Sequence, residues 1–158
     1  MIDIKPYRES YKQFMGINTF PMFTTEYFDI EINQEYVSVA KAEYDFQTKQ
    51  QKLLISGNVE YYPKYLLYHE LTHILDADMY SNGDKKHDCC LTGYMEYHAS
   101  QVELMCLMGA KTIRDKLSFS MDDLSNHLDW TVGHFLDEKY KAASELISLN
   151  SRLFLSLH

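Results

Sequence analysis

The chain has the length and composition of an ordinary globular protein, with an acidic charge balance. Its 158 residues are 46% hydrophobic and 24% charged, and 13 Tyr and 8 Phe supply core material that a disordered chain would lack. The formal net charge of −8, from 15 basic and 23 acidic side chains, argues against a broad nucleic-acid or anionic-membrane surface, because both require clustered Lys and Arg.

The same features predict a single domain and a cytoplasmic location. Residues 1–158 are a usual length for one hydrophobic core. The N-terminus lacks the apolar segment of a secretion signal, and no stretch approaches the roughly eighteen apolar residues of a membrane span. The three cysteines are odd in number and form no disulfide framework, which favours a reducing compartment.

The first predicted element is a short helix. It covers residues 6–15, because Pro6 suits the first helical turn and Gly16 is a stop signal. Residues 17–33 have a mixed composition and are expected to form a loop with room for a short strand.

A β-hairpin is predicted next. Residues 36–46 partly alternate between apolar and polar and are rich in β-branched and aromatic side chains, and residues 51–56 form a second apolar run. The polar segment between them is typical of a turn. Gly57 and Asn58 end the hairpin, so the sheet is expected to be small and antiparallel.

The rest of the chain is predicted to be helical. One helix covers residues 63–80, and a polar loop over residues 81–88 separates it from a second helix over residues 91–110. A last long helix begins near Met121, with Ser120 as its N-cap. The expected fold is therefore a helix-rich α+β domain, with the small antiparallel sheet packed on the helix that starts at residue 63.

That helix contains an HExxH motif, formed by His69, Glu70 and His73. Histidines four residues apart lie one turn apart on the same helix face, so both imidazoles can reach one metal ion. Glu70 is rotated by about 100° from His69, which suits it to take a proton from a water molecule at the metal rather than to ligate. The motif predicts His69 and His73 as zinc ligands and Glu70 as the catalytic base.

The surroundings of the motif favour a functional interpretation. Leu67, Leu71 and Ile74 form an apolar stripe on the face of the helix opposite the histidines, as expected of an active-site helix that is buried on one side. The alternative is a helix that carries two histidines by accident, within an interaction module that binds no metal.

A catalytic zinc requires a third protein ligand. Met79 stands where one zinc-peptidase class has its third histidine, so that class is excluded. Glu96 is the preferred ligand, because the 23 residues that separate it from His73 allow a loop and a returning antiparallel helix. Glu103 lies on the same helix face and is the fallback ligand, or a group that orients a histidine.

Several roles are possible for the other polar groups that the sequence offers beside the motif. Asp76 is a further candidate to orient a ligand histidine, and an aspartate such as Asp88 in the loop beside His87 is a possible ligand. His127, His134 and Tyr80 are considered as hydrogen-bond donors to the tetrahedral intermediate, but packing or surface positions are the simpler interpretation for each, and they are left out of the predicted site. A second metal site formed by His87, Cys89 and Cys90 has no support from spacing.

The motif residues resemble a known family. HELTHILD, followed by Glu96, Tyr97, His98 and Ala99, is similar to the gluzincin pattern HExxH…ExxA, and most similar to the small cytoplasmic ImmA/IrrE-type metallopeptidases. The resemblance covers roughly residues 60–110. It implies His69, His73 and Glu96 as zinc ligands, Glu70 as the base, and proteolysis of an intracellular regulatory protein, often a DNA-binding repressor.

The chain departs from that family at three positions. Thr72 stands where the motif usually has glycine, His98 stands where an acidic residue is common before the alanine, and Val102 stands where the family has phenylalanine. None of these changes touches a predicted ligand.

The predicted function is hydrolysis of a peptide bond in a protein or peptide by zinc-activated water, without a nucleic-acid or membrane partner. Mn²⁺ and Fe²⁺ also suit these ligand types. A strand of the hairpin is expected to border the cleft, where an extended substrate would bind as an added strand. The alternative is a catalytically inactive zinc-binding regulatory protein with the same fold.

Overall fold

The structure is a computed structural model that describes residues 2–29, 39–57, 62–81 and 83–116. Every element below belongs to the compact unit Met1–Asp115. In chain order the elements are α1 (Lys5–Met15), β1 (Phe23–Phe28), β2 (Ala40–Asp45), β3 (Gln50–Ser56), α2 (Lys64–Asp76), a π-helical turn (Ala77–Ser81) and α3 (Lys85–Leu107). The last predicted helix, from Met121, lies outside the described residues, and the single domain over residues 1–158 stays a prediction.

The predicted first helix is confirmed as α1. Pro6 occupies its first turn, and Gly16 ends the helix with a φ of 68°, a left-handed conformation that favours glycine. Its amphipathic pattern buries Tyr11 and Phe14 against α2, where Tyr68 packs edge-on to Tyr11. Burial of these rings anchors the N-terminal segment to the helix that carries the HExxH motif.

The predicted hairpin is confirmed, but the expectation of an antiparallel sheet was wrong. Strands β2 and β3 pair antiparallel, with Ala42 opposite Leu53. Strand β1 pairs with the other side of β3 in parallel, so the sheet is mixed and has the order β1-β3-β2. The bounds and the pairing of β1 could not be predicted, because its exposed polar residues obscure the alternation that is typical of a strand. The order leaves β2 at the edge of the sheet.

The core lies between the sheet and α2. Leu53 and Ile55 of β3 are fully buried, as are Leu67 and Leu71 of α2. Period 2 along β3 and period 3.6 along α2 place these side chains on facing surfaces. The predicted apolar stripe of α2 is thereby confirmed, and it fixes the rotation of the helix about its axis.

The two long helices differ from the predicted bounds. Helix α2 ends at Asp76, and residues 77–81 widen into a π-helical turn in which Ser81 Oγ donates a hydrogen bond to Ala77 O (2.5 Å). Helix α3 begins at Lys85 rather than residue 91, because Asp84 caps it and accepts a hydrogen bond from Lys86 N (2.8 Å). The polar residues assigned to a loop are the exposed first turns of α3.

The far end of α3 also comes earlier than predicted. The helix ends at Leu107, not at residue 110, because Gly109 adopts a φ of 81° and its N–H bonds to Cys106 O (3.1 Å). Within the described ranges, no helix is both long enough and apolar enough to cross a membrane.

Candidate metal centre and cleft

The ligand-bearing face of α2 is set by burial of its opposite face. With Leu67 and Leu71 in the core, His69 and His73 turn towards α3, which packs along α2. His69 is 8% exposed, and His73 is half-buried. The HExxH spacing therefore places both imidazoles at the interface of the two helices.

Three predicted ligands converge at this interface. The Nε2 atoms of His69 and His73 lie 3.1 Å apart. Carboxylate oxygens of Glu96, from α3, lie 3.8 Å from His69 Nε2 and 3.5 Å from His73 Nε2. With one ligand atom from each residue, all three atoms lie within 4.8 Å of one another. The structure thus brings together the histidines and the glutamate that the sequence selected.

These separations fit a metal ion. Ligand atoms around a tetrahedral zinc are ~3.3 Å apart. The two Nε2 atoms lie 3.1 Å apart, and the two carboxylate oxygens of Glu96 lie near that distance, one 3.8 Å from His69 and the other 3.5 Å from His73. Two imidazoles and one carboxylate are also the donor set of many catalytic zinc sites, which keep a further position open for water. The group formed by His69, His73 and Glu96 can therefore hold a metal ion.

Glu103 contacts the ring nitrogen of His69 that is not part of the predicted ligand group. Its carboxylate is 1% exposed and accepts a hydrogen bond from His69 Nδ1 at 2.8 Å. Because Nδ1 carries the proton in this contact, the lone pair of His69 lies on Nε2, which faces His73 and Glu96. A carboxylate behind a ligand histidine is the usual arrangement at protein metal sites. Of the two roles predicted for Glu103, this contact corresponds to the one that orients a histidine.

The predicted base, Glu70, lies against the edge strand. Its Oε2 accepts a hydrogen bond from Ala42 N at 2.7 Å. In the antiparallel pair, main-chain groups of successive residues point alternately towards β3 and away from it, so those of Ala42 and Tyr44 point to the open edge. Glu70 is therefore located between the metal-ligand group and the edge of β2 that pairs with no described strand.

A cleft joins these groups. It has a volume of about 650 Å³ and runs between β2 and the two long helices. All three ligand residues line it, together with Glu70, the residues Ala40–Tyr44 and, farther along, Phe46, Gln51, Asp88 and Thr92. This volume is within the range of ligand-binding pockets, and the open strand edge forms one wall.

Asp76 does not orient a ligand histidine through any contact described here, contrary to one alternative from the sequence. Its fully buried carboxylate accepts a hydrogen bond from His98 Nδ1, at 2.9 and 3.0 Å. The His98 ring stacks on Tyr94, with ring centroids 5.9 Å apart. Tyr94 OH lies 3.4 Å from Tyr80 OH, and this hydrogen bond raises the pKa of Tyr94 to about 12.

Two further candidates from the sequence that the structure describes, Tyr80 and His87, do not belong to the ligand group. Tyr80 does not line the cleft, and its hydroxyl faces Tyr94, so it is not placed to act on a substrate. His87 is exposed beside Asp84 (3.7 Å). His127 and His134 lie outside the described residues.

Thr72, which replaces the glycine of the HExxH family pattern, has a structural role. Its hydroxyl donates to Tyr68 O (2.7 Å), and because a hydroxyl has one hydrogen, Tyr11 OH donates to Thr72 Oγ1 (2.9 Å). Burial raises the pKa of Tyr11, which keeps its hydroxyl protonated. The threonine thus fastens α1 to the back of α2.

Known proteins offer no match to this chain: no family model, no curated protein and no solved structure corresponds to it. The resemblance of the HELTHILD and Glu96–Ala99 segments to ImmA/IrrE-type enzymes therefore stays a prediction from the sequence.

Proposed function

We propose that the protein is a zinc-dependent metallopeptidase that hydrolyses a peptide bond in an intracellular protein. The observation that carries the proposal is the convergence of His69, His73 and Glu96 beside Glu70, at the edge of an open strand. Two histidines and a carboxylate favour Zn²⁺. The hydrogen bond from His69 Nδ1 to Glu103 supports the same assignment, because a ligand histidine usually donates its other ring N–H to a carboxylate.

The chemistry divides between the metal and the chain. When bound, the metal ion supplies a Lewis acid that polarises a carbonyl and makes water acidic at neutral pH. Glu70 takes the proton of the attacking water and delivers it to the leaving amine, as the C–N bond breaks and a carboxylate forms. The position of Glu70, with its Oε2 2.7 Å from Ala42 N at the strand edge, supports this role.

The strand edge suits an extended substrate. The Ala42 carbonyl and the main-chain groups of Tyr44 point outward and would pair with a peptide that adds to the sheet as a strand, whereas the Ala42 N–H is held by Glu70. Peptides N-methylated at the pairing positions are expected to be cleaved far more slowly than their parents. Equal rates would refute this binding mode.

The substrate class is part of the proposal. The motif's likeness to ImmA/IrrE-type enzymes supports a regulatory protein, such as a repressor, as the target. An open cleft of about 650 Å³ accommodates an extended segment of a protein chain. The free Cys89, Cys90 and Cys106 support a cytoplasmic location.

Metal analysis and hydrolysis test the proposal together. Protein purified without chelator should contain about one zinc per chain, and the variant His69→Ala/His73→Ala should contain none. Wild type should generate new termini in a diverse peptide mixture, detected by mass spectrometry. Glu70→Gln should keep the metal and lower the hydrolysis rate by a factor of about 10² to 10⁴.

Each other result points to a different function. Full zinc occupancy without hydrolysis by wild type would favour the alternative, a zinc-binding regulatory protein. Hydrolysis that survives Glu70→Gln would remove Glu70 from the mechanism. If no metal binds even when zinc is supplied, the chain is an interaction module and the peptidase proposal fails.

A further inference from the structure

The cleft extends well beyond the metal-ligand group, towards the start of α3. At that end, one wall is aromatic: the rings of Tyr44 and Phe46 meet with centroids 4.9 Å apart. Asp88 and Thr92, from the first turns of α3, line the opposite wall. Tyr44 reaches across to the turn before α3, where a Cβ on Gly83 would lie 2.6 Å from the tyrosine hydroxyl. This end of the cleft therefore has mixed aromatic and acidic walls.

Among the described residues, Asp88 has no cationic partner that accounts for its charge. The cap of α3 is supplied by Asp84, which accepts from Lys86 N. Asp88 is half-buried, and the Ser81 hydroxyl is its one polar side-chain contact in the part of the chain described. No described Lys, Arg or His nitrogen lies within 4.0 Å of its carboxylate.

Partial burial without a cation is unfavourable for a carboxylate. Withdrawal from water raises the pKa of Asp88, which shows that its surroundings disfavour the charge. Each of the other carboxylates that line the cleft has a described partner: Glu43 pairs with Lys41 at 2.7 Å, Glu70 accepts from Ala42 N, and Glu96 lies 3.5 Å from His73 Nε2. Asp88 is thus the cleft carboxylate that gains most from a cation brought by a ligand.

We propose that this end of the cleft is a specificity pocket for a Lys or Arg side chain of the substrate. The aliphatic stem lies along Tyr44 and Phe46, and the charged head pairs with Asp88. Basic side chains suit these walls because their stems bury apolar surface and their heads are attracted to aromatic faces and carboxylates. The net charge of −8 further favours a cationic segment. This inference rests on the proposed peptidase function and identifies the substrate class of the same site.

A peptide series tests the pocket. Starting from a peptide that wild type cleaves, each position flanking the cleaved bond is replaced in turn by Lys, Arg, norleucine or Glu. At one position, Lys and Arg should exceed norleucine in kcat/KM by about tenfold, the value of a charge-assisted contact. Asp88→Asn should lower the Lys-to-norleucine ratio by about the same factor. Glu43→Gln, which removes one negative charge from the cleft rim, is the matched control and should preserve that ratio.

A binding measurement separates this inference from the peptidase proposal. Fluorescence anisotropy of labelled Lys and norleucine peptides is measured on Glu70→Gln, with and without Asp88→Asn. Tighter binding of the Lys peptide that depends on Asp88 supports the pocket, whether or not wild type hydrolyses anything. The pocket proposal is wrong if cleavage shows no preference for a basic residue at any position, or if the Lys and norleucine peptides bind equally. The peptidase proposal is then judged by its own test.

Discussion

Two hydrogen bonds from a histidine Nδ1 to a buried carboxylate cross the interface of α2 and α3, and they differ in what lies beyond the histidine. Glu103 accepts from His69 Nδ1 at 2.8 Å, and Asp76 accepts from His98 Nδ1 at 2.9 Å. Both carboxylates are buried, at 1% and 0% exposed. At the first contact, the other ring nitrogen faces His73 and the metal-ligand group. At the second, the imidazole stacks on a tyrosine.

The comparison shows that a buried carboxylate behind a histidine does not by itself make a metal site. In both contacts the carboxylate fixes the tautomer and the ring orientation. Of these two histidines, only His69 has potential metal-ligand atoms of described residues within 4 Å of its Nε2, and His73 and Glu96 supply them. We therefore expect Glu103 to control metal affinity and Asp76 to control the stability of the helix pair, and the two contacts can be broken separately.

The largest effect is expected from His98→Ala. The change leaves the Asp76 carboxylate buried without its partner, and an uncompensated buried charge costs about 3 kcal/mol of unfolding free energy or more. Urea unfolding at a fixed zinc concentration measures the loss. The metal content of the folded variant should stay near one per chain.

A matched control is available on the same helix. His87 lies 3.7 Å from Asp84, and both side chains are more than half exposed, so His87→Ala should change the unfolding free energy by less than about 0.5 kcal/mol. Similar losses in His98→Ala and His87→Ala would show that the Asp76–His98 contact does not stabilise the helix pair.

Glu103→Gln is expected to have a smaller effect, on metal affinity. Glutamine keeps the size of the side chain and an acceptor oxygen for His69, but it removes the negative charge that increases the basicity of the ligand histidine. Loss of such a group weakens zinc binding by a factor of about 10 to 100. Competition with a chromophoric chelator measures the affinity.

Asp76→Asn is the corresponding change at the other contact. It should leave zinc affinity within about twofold of wild type, because Asp76 bonds to His98 rather than to a ligand. If the two amide variants weaken zinc binding equally, the functional distinction between the contacts is wrong.

The difference between the contacts also explains what the sequence could predict. Local patterns suffice for α1, the hairpin and the ligand face of α2, because capping residues and periodicity act over a few residues. The distance of Glu96 from His73 and its likeness to a family pattern predict it as a ligand, and the structure has its carboxylate within 4 Å of both histidines. The Asp76–His98 contact spans 22 residues, and neither residue type nor spacing marks it.

Two errors have the same physical origin. Strand β1 lies in the segment expected to be a loop with room for a short strand. It pairs with β3 through main-chain hydrogen bonds, which are nearly independent of side chains, so its polar residues indicate neither its bounds nor its parallel partner. The early start of α3 depends on the cap by Asp84, whereas the polar composition after Gly83 indicated a loop. The role of Glu103 was left open because helix periodicity gives only its face, not its partner.

A third contact of α2 provides a neutral reference for the two charged ones. Tyr11 OH donates to Thr72 Oγ1 at 2.9 Å on the back of the helix, with no carboxylate involved. Tyr11→Phe should cost about 1 kcal/mol of unfolding free energy, since the Thr72 hydroxyl keeps its hydrogen bond to Tyr68 O. Zinc affinity should not change.

Thr72→Ala should cost more unfolding free energy than Tyr11→Phe, because it leaves the Tyr11 hydroxyl buried without an acceptor. The double variant should show a coupling energy of about 1 kcal/mol. Independent, additive losses would show that the hydroxyl pair contributes nothing, and that α1 is held to α2 by its aromatic rings alone.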